Sequence, residues 1–418
     1  MEPLRVVISP NIYLRIRAMR DFPLLPGLKN IYIPNDANLD LSSALFLASV
    51  STLNMVQLDA VATADRQFFV PFLSSLYIKS PGLSHLAIRG PVLSGSLEPI
   101  YRFTKLQSLE IWLRNPHLHS QHLHKLGQLP HLLDLIIDAG DVATSIQPHT
   151  NPISIGNSKF SRLRHLKIVG TTTSISCTLG ELKGLTNLNA LKIDEVWDGR
   201  TGDSTDRSWN SSLEAISTFS AVEDIEITLE PNRGHWPVAC SFAPLFRLDN
   251  LKSFVTNFDM VSLGSDNDFR LLAGGFKKLK KFVVSSPSTP NRGLFSSGGR
   301  TLACLYYLSR ECPDLREIKI PISFDISKNL NAIKNLPHPI VRNHHHPLEK
   351  LYIDSSFGPL QPIHLVRVAL FLDHIFPNLS TLGTDNLKTT EAANWLGIHE
   401  LRLAIHDARI NSSSVSGI

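Results

Sequence analysis

Cysteine is scarce in this chain. The four present, Cys177, Cys240, Cys304 and Cys312, show no paired spacing and do not gather at either end. That pattern excludes a disulfide-stapled scaffold and favours a reducing compartment. Long apolar runs are missing too: nothing approaches the 18 or so uninterrupted residues of a membrane span, and MEPLRVVISP lacks the basic-then-apolar layout of a signal peptide. No G-x-S-x-G, H-E-x-x-H, G-x-x-x-x-G-K-[ST] or G-x-G-x-x-G stands in a strand-turn-helix context. These absences describe a soluble chain, cytoplasmic or nuclear, with no catalytic centre, no cofactor and no membrane contact.

What the chain has is repetition. A six-residue phrase, L-x-x-L-x-I with Val, Phe or Thr allowed, occurs thirteen times. It opens at Leu28, Leu53, Leu83, Leu106, Leu132, Leu163, Leu188, Val222, Leu251, Leu279, Leu315, Leu348 and Leu379. Spacings run from 23 to 36 residues, with a mean of about 29, which is the period of stacked leucine-rich repeats. Within a phrase the strand period of two applies. In LRHLKIV, Leu166 and Ile168 point one way and Lys167 the other; one repeat later Leu191 and Ile193 point inward and Lys192 outward. The aliphatic set can be buried together only if all the phrases are parallel strands, so Leu166, Ile168, Leu191 and Ile193 are expected in the core and Lys167 and Lys192 in solvent.

Helical spacing fills the intervals. RQFFVPFLSSL puts Phe69, Phe72, Leu73 and Leu76 on one side, with Pro71 near the start or at a kink. TLACLYYLSREC (Thr301 to Cys312) and PIHLVRVALFLDHIF (Pro362 to Phe376) read as helices, the second with proline in its first turn. Pro26, Pro81, Pro130, Pro313 and Pro377 each stand two residues before a phrase and end the preceding helix. Strands stack about 4.8 Å apart and helices about 10 Å. The expected fold is therefore α/β, a leucine-rich-repeat arc of the ribonuclease-inhibitor-like kind, with parallel strands on the concave side and helices on the convex side.

With 43% hydrophobic and 19% charged residues the chain can bury one long core, and solenoids escape the usual size limit because they grow along one axis. The expected organisation is a single domain: 1–24 a degenerate first repeat, 25–387 the thirteen repeats, 388–410 a capping helix, and 411–418 a tail. In the cap, Trp395, Ile398, Leu401, Ile405 and Ala408 recur at spacings of three and four, although Gly397 weakens the helix by up to about 1 kcal/mol. At the other end Leu4 and Val7 look like a degenerate strand, followed by a helix from Ser9-Pro10 with Ile12 and Ile16 on one side. Extracellular leucine-rich arrays usually carry terminal cysteine caps, and none is present.

The units LPGLKNIYI from Leu25, CPDLREIKI from Cys312 and FPNLSTLGT from Phe376 resemble the leucine-rich-repeat region of F-box proteins, most closely those of mushroom-type fungi. The resemblance runs from about residue 4 to 410. It implies an arc that recognises a protein substrate for an SCF-type ubiquitin ligase. The F-box itself is not evident, since PLLPGL (Pro23 to Leu28) belongs to the first clear repeat. A Skp1-type adaptor is thus expected to bind only if an F-box is supplied upstream. A scaffold unrelated to ubiquitin transfer is the alternative; a repeat-fold hydrolase, the rival from another class, would need several short strands per coil instead of long helical intervals.

Candidate sites follow from the outward strand positions. These carry ten acidic residues, among them Asp59, Glu110, Asp134, Asp138 and Asp194, against six basic ones, including Arg89, Lys167 and Lys192, in a chain of net charge +4. A nucleic-acid groove would show the reverse. Outward aromatics are rare, and Tyr32, Trp112 and Tyr352 stand out. Trp112, Glu110, Arg89, Asp138, Lys167, Lys192, Asp194, Tyr32 and Tyr352 are the expected partner-binding set, a mixed-charge surface suited to a protein ligand on the concave sheet. Trp112 packed under a return loop is the other reading. His117, His119, His122 and His124 have helical metal-ligand spacings but no nearby Cys or Asp to complete a site, and none is assigned. The same holds for Asn343 to Pro347. Lys277, Lys278, Lys280 and Lys281 read as a solvated turn and strand edge, and Ser286-Pro287 and Thr289-Pro290 as weak phosphorylation signals in a loop.

Overall fold

The computed structural model describes residues 15, 19, 26–33, 50–59, 66–90, 94–113, 120–138, 160–196, 209–229, 242–257, 265–285, 300–322, 325–336, 345–354, 360–384 and 389–415. The degenerate first strand at Leu4 and Val7 and both Ser/Thr-Pro pairs lie outside these residues. The chain forms two compact units, 1–200 and 201–418.

In the first unit seven strands follow one another in sequence order, each parallel to the next. They are β1 (Asn30–Ile33), β2 (Met55–Asp59), β3 (His85–Gly90), β4 (Ser108–Leu113), β5 (Asp134–Asp138), β6 (His165–Gly170) and β7 (Ala190–Glu195). The second unit holds six more, likewise parallel and in order: β8 (Asp224–Leu229), β9 (Ser253–Thr256), β10 (Lys281–Val284), β11 (Glu317–Pro321), β12 (Lys350–Asp354) and β13 (Thr381–Gly383). Every phrase is a strand, and helices alternate with the strands. The fold is an α/β leucine-rich-repeat solenoid.

The inward register is as the pattern requires. Leu166, Ile168, Leu191 and Ile193 are all buried, as are Val56 and Leu58, Leu86 and Ile88, and Ile318 and Ile320. In the second unit phenylalanine enters these columns: Phe254 stacks on Phe276 and Phe282, and Phe269 meets Phe282 edge-on. Lys167 and Lys192 depart from expectation, being half-buried instead of exposed. On a parallel sheet each outward side chain is flanked by its counterparts one strand away on either side, which covers much of a lysine stem.

Within each unit the main chain joins one repeat to the next in the same way. The second and third N–H groups of a phrase both donate to the carbonyl of the second residue in the phrase before, as Arg164 and His165 do to Leu133, and Lys280 and Lys281 to Lys252. The turn before each strand also repeats. The leading N–H of the phrase donates to the carbonyl three residues back, for example Leu83 to Ser80, Leu315 to Cys312 and Leu379 to Phe376. Proline at 81, 313 and 377 therefore occupies the second position of a β-turn, where its fixed φ fits. The residue opening the turn is buried: Phe103, Phe160, Phe219, Phe276, Cys312 and Phe376. This column anchors the turn in the core as firmly as the strand residues do.

The expected helices form. α1 (Arg66–Lys79) buries Phe69, Phe72, Leu73 and Leu76 and keeps Pro71 on its exposed side in the second turn. After it come α2 (Ser120–Leu126), α3 (Thr172–Glu181), α4 (Asn210–Ile216), α5 (Asp266–Gly275), α6 (Ala303–Glu311), α7 (Ile326–Lys334), α8 (Pro362–Ile375) and α9 (Thr389–Val415). 3-10 segments, of nine residues at Ser94–Arg102 and five at Ala243–Arg247, take the helix place in two repeats. α9 runs on through residues expected as tail. Its buried face also differs from the expected stripe: Trp395 and Ile398 are buried, but the third buried position is Arg402, while Leu401 and Ile405 are half-exposed and Ala408 is exposed. The guanidinium donates to the carbonyls of Pro377 and Leu379 beside the last strand. Main-chain carbonyls at the end of a stack have no further strand to satisfy them, and a buried donor is the physical reason for a charge there.

Candidate recognition site

Register places the outward side chains of the first unit in rows across the strands. One row contains Tyr32, Gln57, Ala87, Glu110, Ile136, Lys167 and Lys192. The next contains Asp59, Arg89, Trp112, Asp138, Val169 and Asp194. Eight of the nine expected partner-binding residues thus share one sheet face. Tyr352 is the ninth. It lies on β12 of the second unit, its ring 3.8 Å from where a side chain on Gly383 would begin.

At one end of this face the side chains form a continuous polar chain. The Tyr32 hydroxyl donates to Asp59 Oδ2 at 2.8 Å. Arg89 reaches the other oxygen of Asp59 at 3.4 Å and grips Glu110 with two bonds, Nε to Oε1 at 2.8 Å and Nη2 to Oε2 at 3.0 Å. The fork geometry of guanidinium on carboxylate makes this a fixed arrangement. The hydrogen bond to Glu110 raises the Arg89 pKa further above its ordinary value, so the cation is permanent. Its guanidinium carbon also stands 5.0 Å from the centroid of the Trp112 indole, within cation–π range.

Trp112 is half-buried, with one ring face taken by Arg89 and its register neighbour on the other side Asp138. Its indole Nε1 is enclosed and has no hydrogen-bond partner among the described residues. Further along, Lys167 Nζ pairs with Asp194 at 2.6 Å, and Lys192 is the register neighbour of Lys167. His165 contacts Asp134 at 2.5 Å on the row nearest the turns. Asp59, outside the expected set, links Tyr32 to Arg89. It sits at the outward position one repeat before Arg89, and pairing strands in register, not residue type alone, is what identifies it.

These groups hold one another. Arg89 is paired to two carboxylates and Lys167 to one. The described cysteines are free thiols, and burial pushes Cys312 up to about 12 and raises Cys304 and Cys177 as well. His122 is engaged by Tyr101, its Nδ1 2.5 Å from the phenol oxygen, and His124 by Gln128; His117 and His119 lie outside the described residues. Lys277 and Lys278 occupy the turn before β10, and Lys281 pairs with Glu317 at 3.3 Å. No helix of the described residues is long and apolar enough to cross a membrane.

No family model matches the sequence, and no curated protein matches it. Among solved structures the chain is similar to the leucine-rich repeat-containing protein LegL7 from Legionella pneumophila. The identity is 14% and the TM-score 0.37, over 73% of this chain and 97% of that one.

Proposed function

We propose that the outward strand face of the first unit, centred on Trp112, binds a segment of a partner protein, and that the chain acts as a recognition module without chemistry of its own. The observation that carries this reading is the setting of Trp112. A half-exposed indole is held against an ion-paired Arg89 whose own partners are fixed, so the aromatic is pre-organised before anything binds. Rigid aromatic anchors beside a mixed-charge rim are the usual composition of an interface hot spot. The four carboxylates of Asp59, Glu110, Asp138 and Asp194 against the three bases on the same rows suit a protein better than a polyanion.

The finer reading is that this surface selects substrates for an SCF-type ubiquitin ligase. The FP-x-L turn-and-strand units, similar to those of fungal F-box proteins, support it. In that reading Asp138, Lys167, Lys192 and Asp194 line the path of the substrate, Tyr32 marks one end, and Tyr352 is the contributor from the second unit. A Skp1-type adaptor would act only through an F-box upstream of the repeats.

The test is a double replacement, Trp112→Ala with Lys192→Ala, followed by affinity capture and mass spectrometry against the unaltered chain. Loss of the main captured protein at an unchanged melting temperature supports the placement. Retention of that protein, or unfolding of the variant, overturns it.

A further inference from the structure

The last helix, α9, is apolar on two sides. One side is the buried face of Trp395 and Ile398. The other is open: Leu396 is 57% exposed, Leu403 42% and Ile410 54%. These three stand seven residues apart, so they form a single stripe along a helix of 27 residues. Glu400 and Asp407, both exposed, are also seven apart and run beside the stripe, about 40° further round the helix. The bases of the helix are turned away from it. Arg402 is buried against the carbonyls of Pro377 and Leu379, and Arg409 is bound to Asp373.

A leucine-and-isoleucine stripe at heptad spacing supplies one apolar position per heptad for a helix–helix seam, with acids along one border. Apolar residues in the stripe supply the burial and the flanking charges choose the partner. A second copy of this chain is disfavoured as that partner. Two α9 faces brought together would carry four carboxylates and no exposed lysine or arginine from the helix to balance them, and like charges across a seam cost stability.

We propose that the exposed face of α9 docks an amphipathic helix of a partner protein, one that presents an apolar heptad stripe flanked by lysine or arginine. Leu396, Leu403 and Ile410 take the apolar stripe, and Glu400 and Asp407 pair with the flanking cations. This surface is separate from the strand face around Trp112 and does not depend on it.

The probe is a pair of labelled synthetic three-heptad helices with leucine at the seam, one flanked by lysine and the other by glutamate. Fluorescence anisotropy with the full chain reads their affinities. The lysine helix is expected to bind at least about tenfold more tightly than the glutamate helix. Leu403→Asp should weaken it by at least about tenfold, and Glu400→Lys with Asp407→Lys should reverse the preference between the two probes. All three side chains are exposed, so melting temperatures should hold, which is checked in parallel. Equal affinities for both probes, or binding indifferent to Leu403→Asp, overturns the proposal. So does sedimentation showing a dimer of the chain that Leu403→Asp dissociates, since the face would then belong to a second copy.

Discussion

The His346 imidazole stands edge-on to the Phe376 ring, centroids 4.9 Å apart, inside the column of buried residues that open the turns. In neighbouring repeats the leading N–H of the strand phrase donates to a main-chain carbonyl. Here Leu348 N–H donates to His346 Nδ1 at 3.2 Å, and Nε2 faces the Cys312 carbonyl at 3.3 Å. Accepting at Nδ1 leaves the proton on Nε2, so the ring that fits is neutral. The third histidine of the Asn343 to Pro347 run is a structural side chain.

Burial pushes the His346 pKa down to about 4. Above the ordinary histidine pKa of 6.5, folded and unfolded forms are both neutral and the group gives no pH dependence. As pH falls from 6.5 towards about 4, the unfolded chain takes up a proton that the native ring refuses, and stability declines. The loss is on the order of 3 kcal/mol, complete below the folded pKa. Urea unfolding at pH 7 and pH 4.5 should show a steeper loss for the native chain than for His346→Gln. Equal losses in the two would disprove the assignment.

The fold was legible because its main signal is local. Alternation within LRHLKIV tells which side Leu166 and Ile168 face without knowledge of any neighbour, and the same holds for every phrase. Helical spacing in PIHLVRVALFLDHIF is equally local. Arg402 shows the limit: apolar periodicity selects Leu401, Ile405 and Ala408, whereas the core takes an arginine because unpaired carbonyls lie across from it. His346 is hidden for the same reason, since only the missing turn bond explains a buried imidazole. On the outward face of the first unit, residue type picked out Arg89, Glu110 and Trp112, but the joining role of Asp59 depends on strand register. The assignment of Tyr352 to another unit depends on tertiary structure alone.

Asp373 of α8 is fully buried and bound by Arg409 of α9, with His406 Nδ1 3.5 Å from its other oxygen. The two partners differ in exposure: the Arg409 side chain keeps 26% of its surface in solvent and Asp373 none. Losing the arginine therefore strands a carboxylate in the core, whereas losing the charge of the aspartate leaves a cation that can turn to water. Arg409→Ala should cost about 3–5 kcal/mol, the range for breaking a buried pair, and Asp373→Asn distinctly less. Chemical denaturation of the two variants decides it; the reverse order would show that the arginine is the costlier group to orphan.

Leu191 on β7 is 1% exposed and its register neighbour is Leu166. Leu191→Ala should destabilise by about 2–5 kcal/mol through lost burial and a residual cavity. The adjacent Lys192→Ala, on the outward side, should stay within about 0.5 kcal/mol. A loss well under 1 kcal/mol at Leu191 would count against the register.

Two helical glycines separate propensity from packing. Gly397 lies within α9, and a methyl group built there would meet only Leu365 Cδ1, at 4.0 Å, an ordinary contact. Gly275 ends α5, and the same methyl would lie 2.4 Å from Cδ1 of Phe246, whose ring packs edge-on against Phe276 at 5.4 Å. Alanine restricts the unfolded chain and favours the helix at both sites, a gain of about 0.5–1 kcal/mol wherever there is room. At Gly397 there is room, so Gly397→Ala should stabilise by that amount. At Gly275 the Phe246 ring must move and disturb its contact with Phe276, and overpacking of this kind costs about 1–3 kcal/mol. Gly275→Ala should therefore destabilise on balance. Thermal unfolding of the two single variants gives opposite signs if close approach of Phe246 is what keeps residue 275 a glycine; two stabilised proteins would mean that the ring yields without cost.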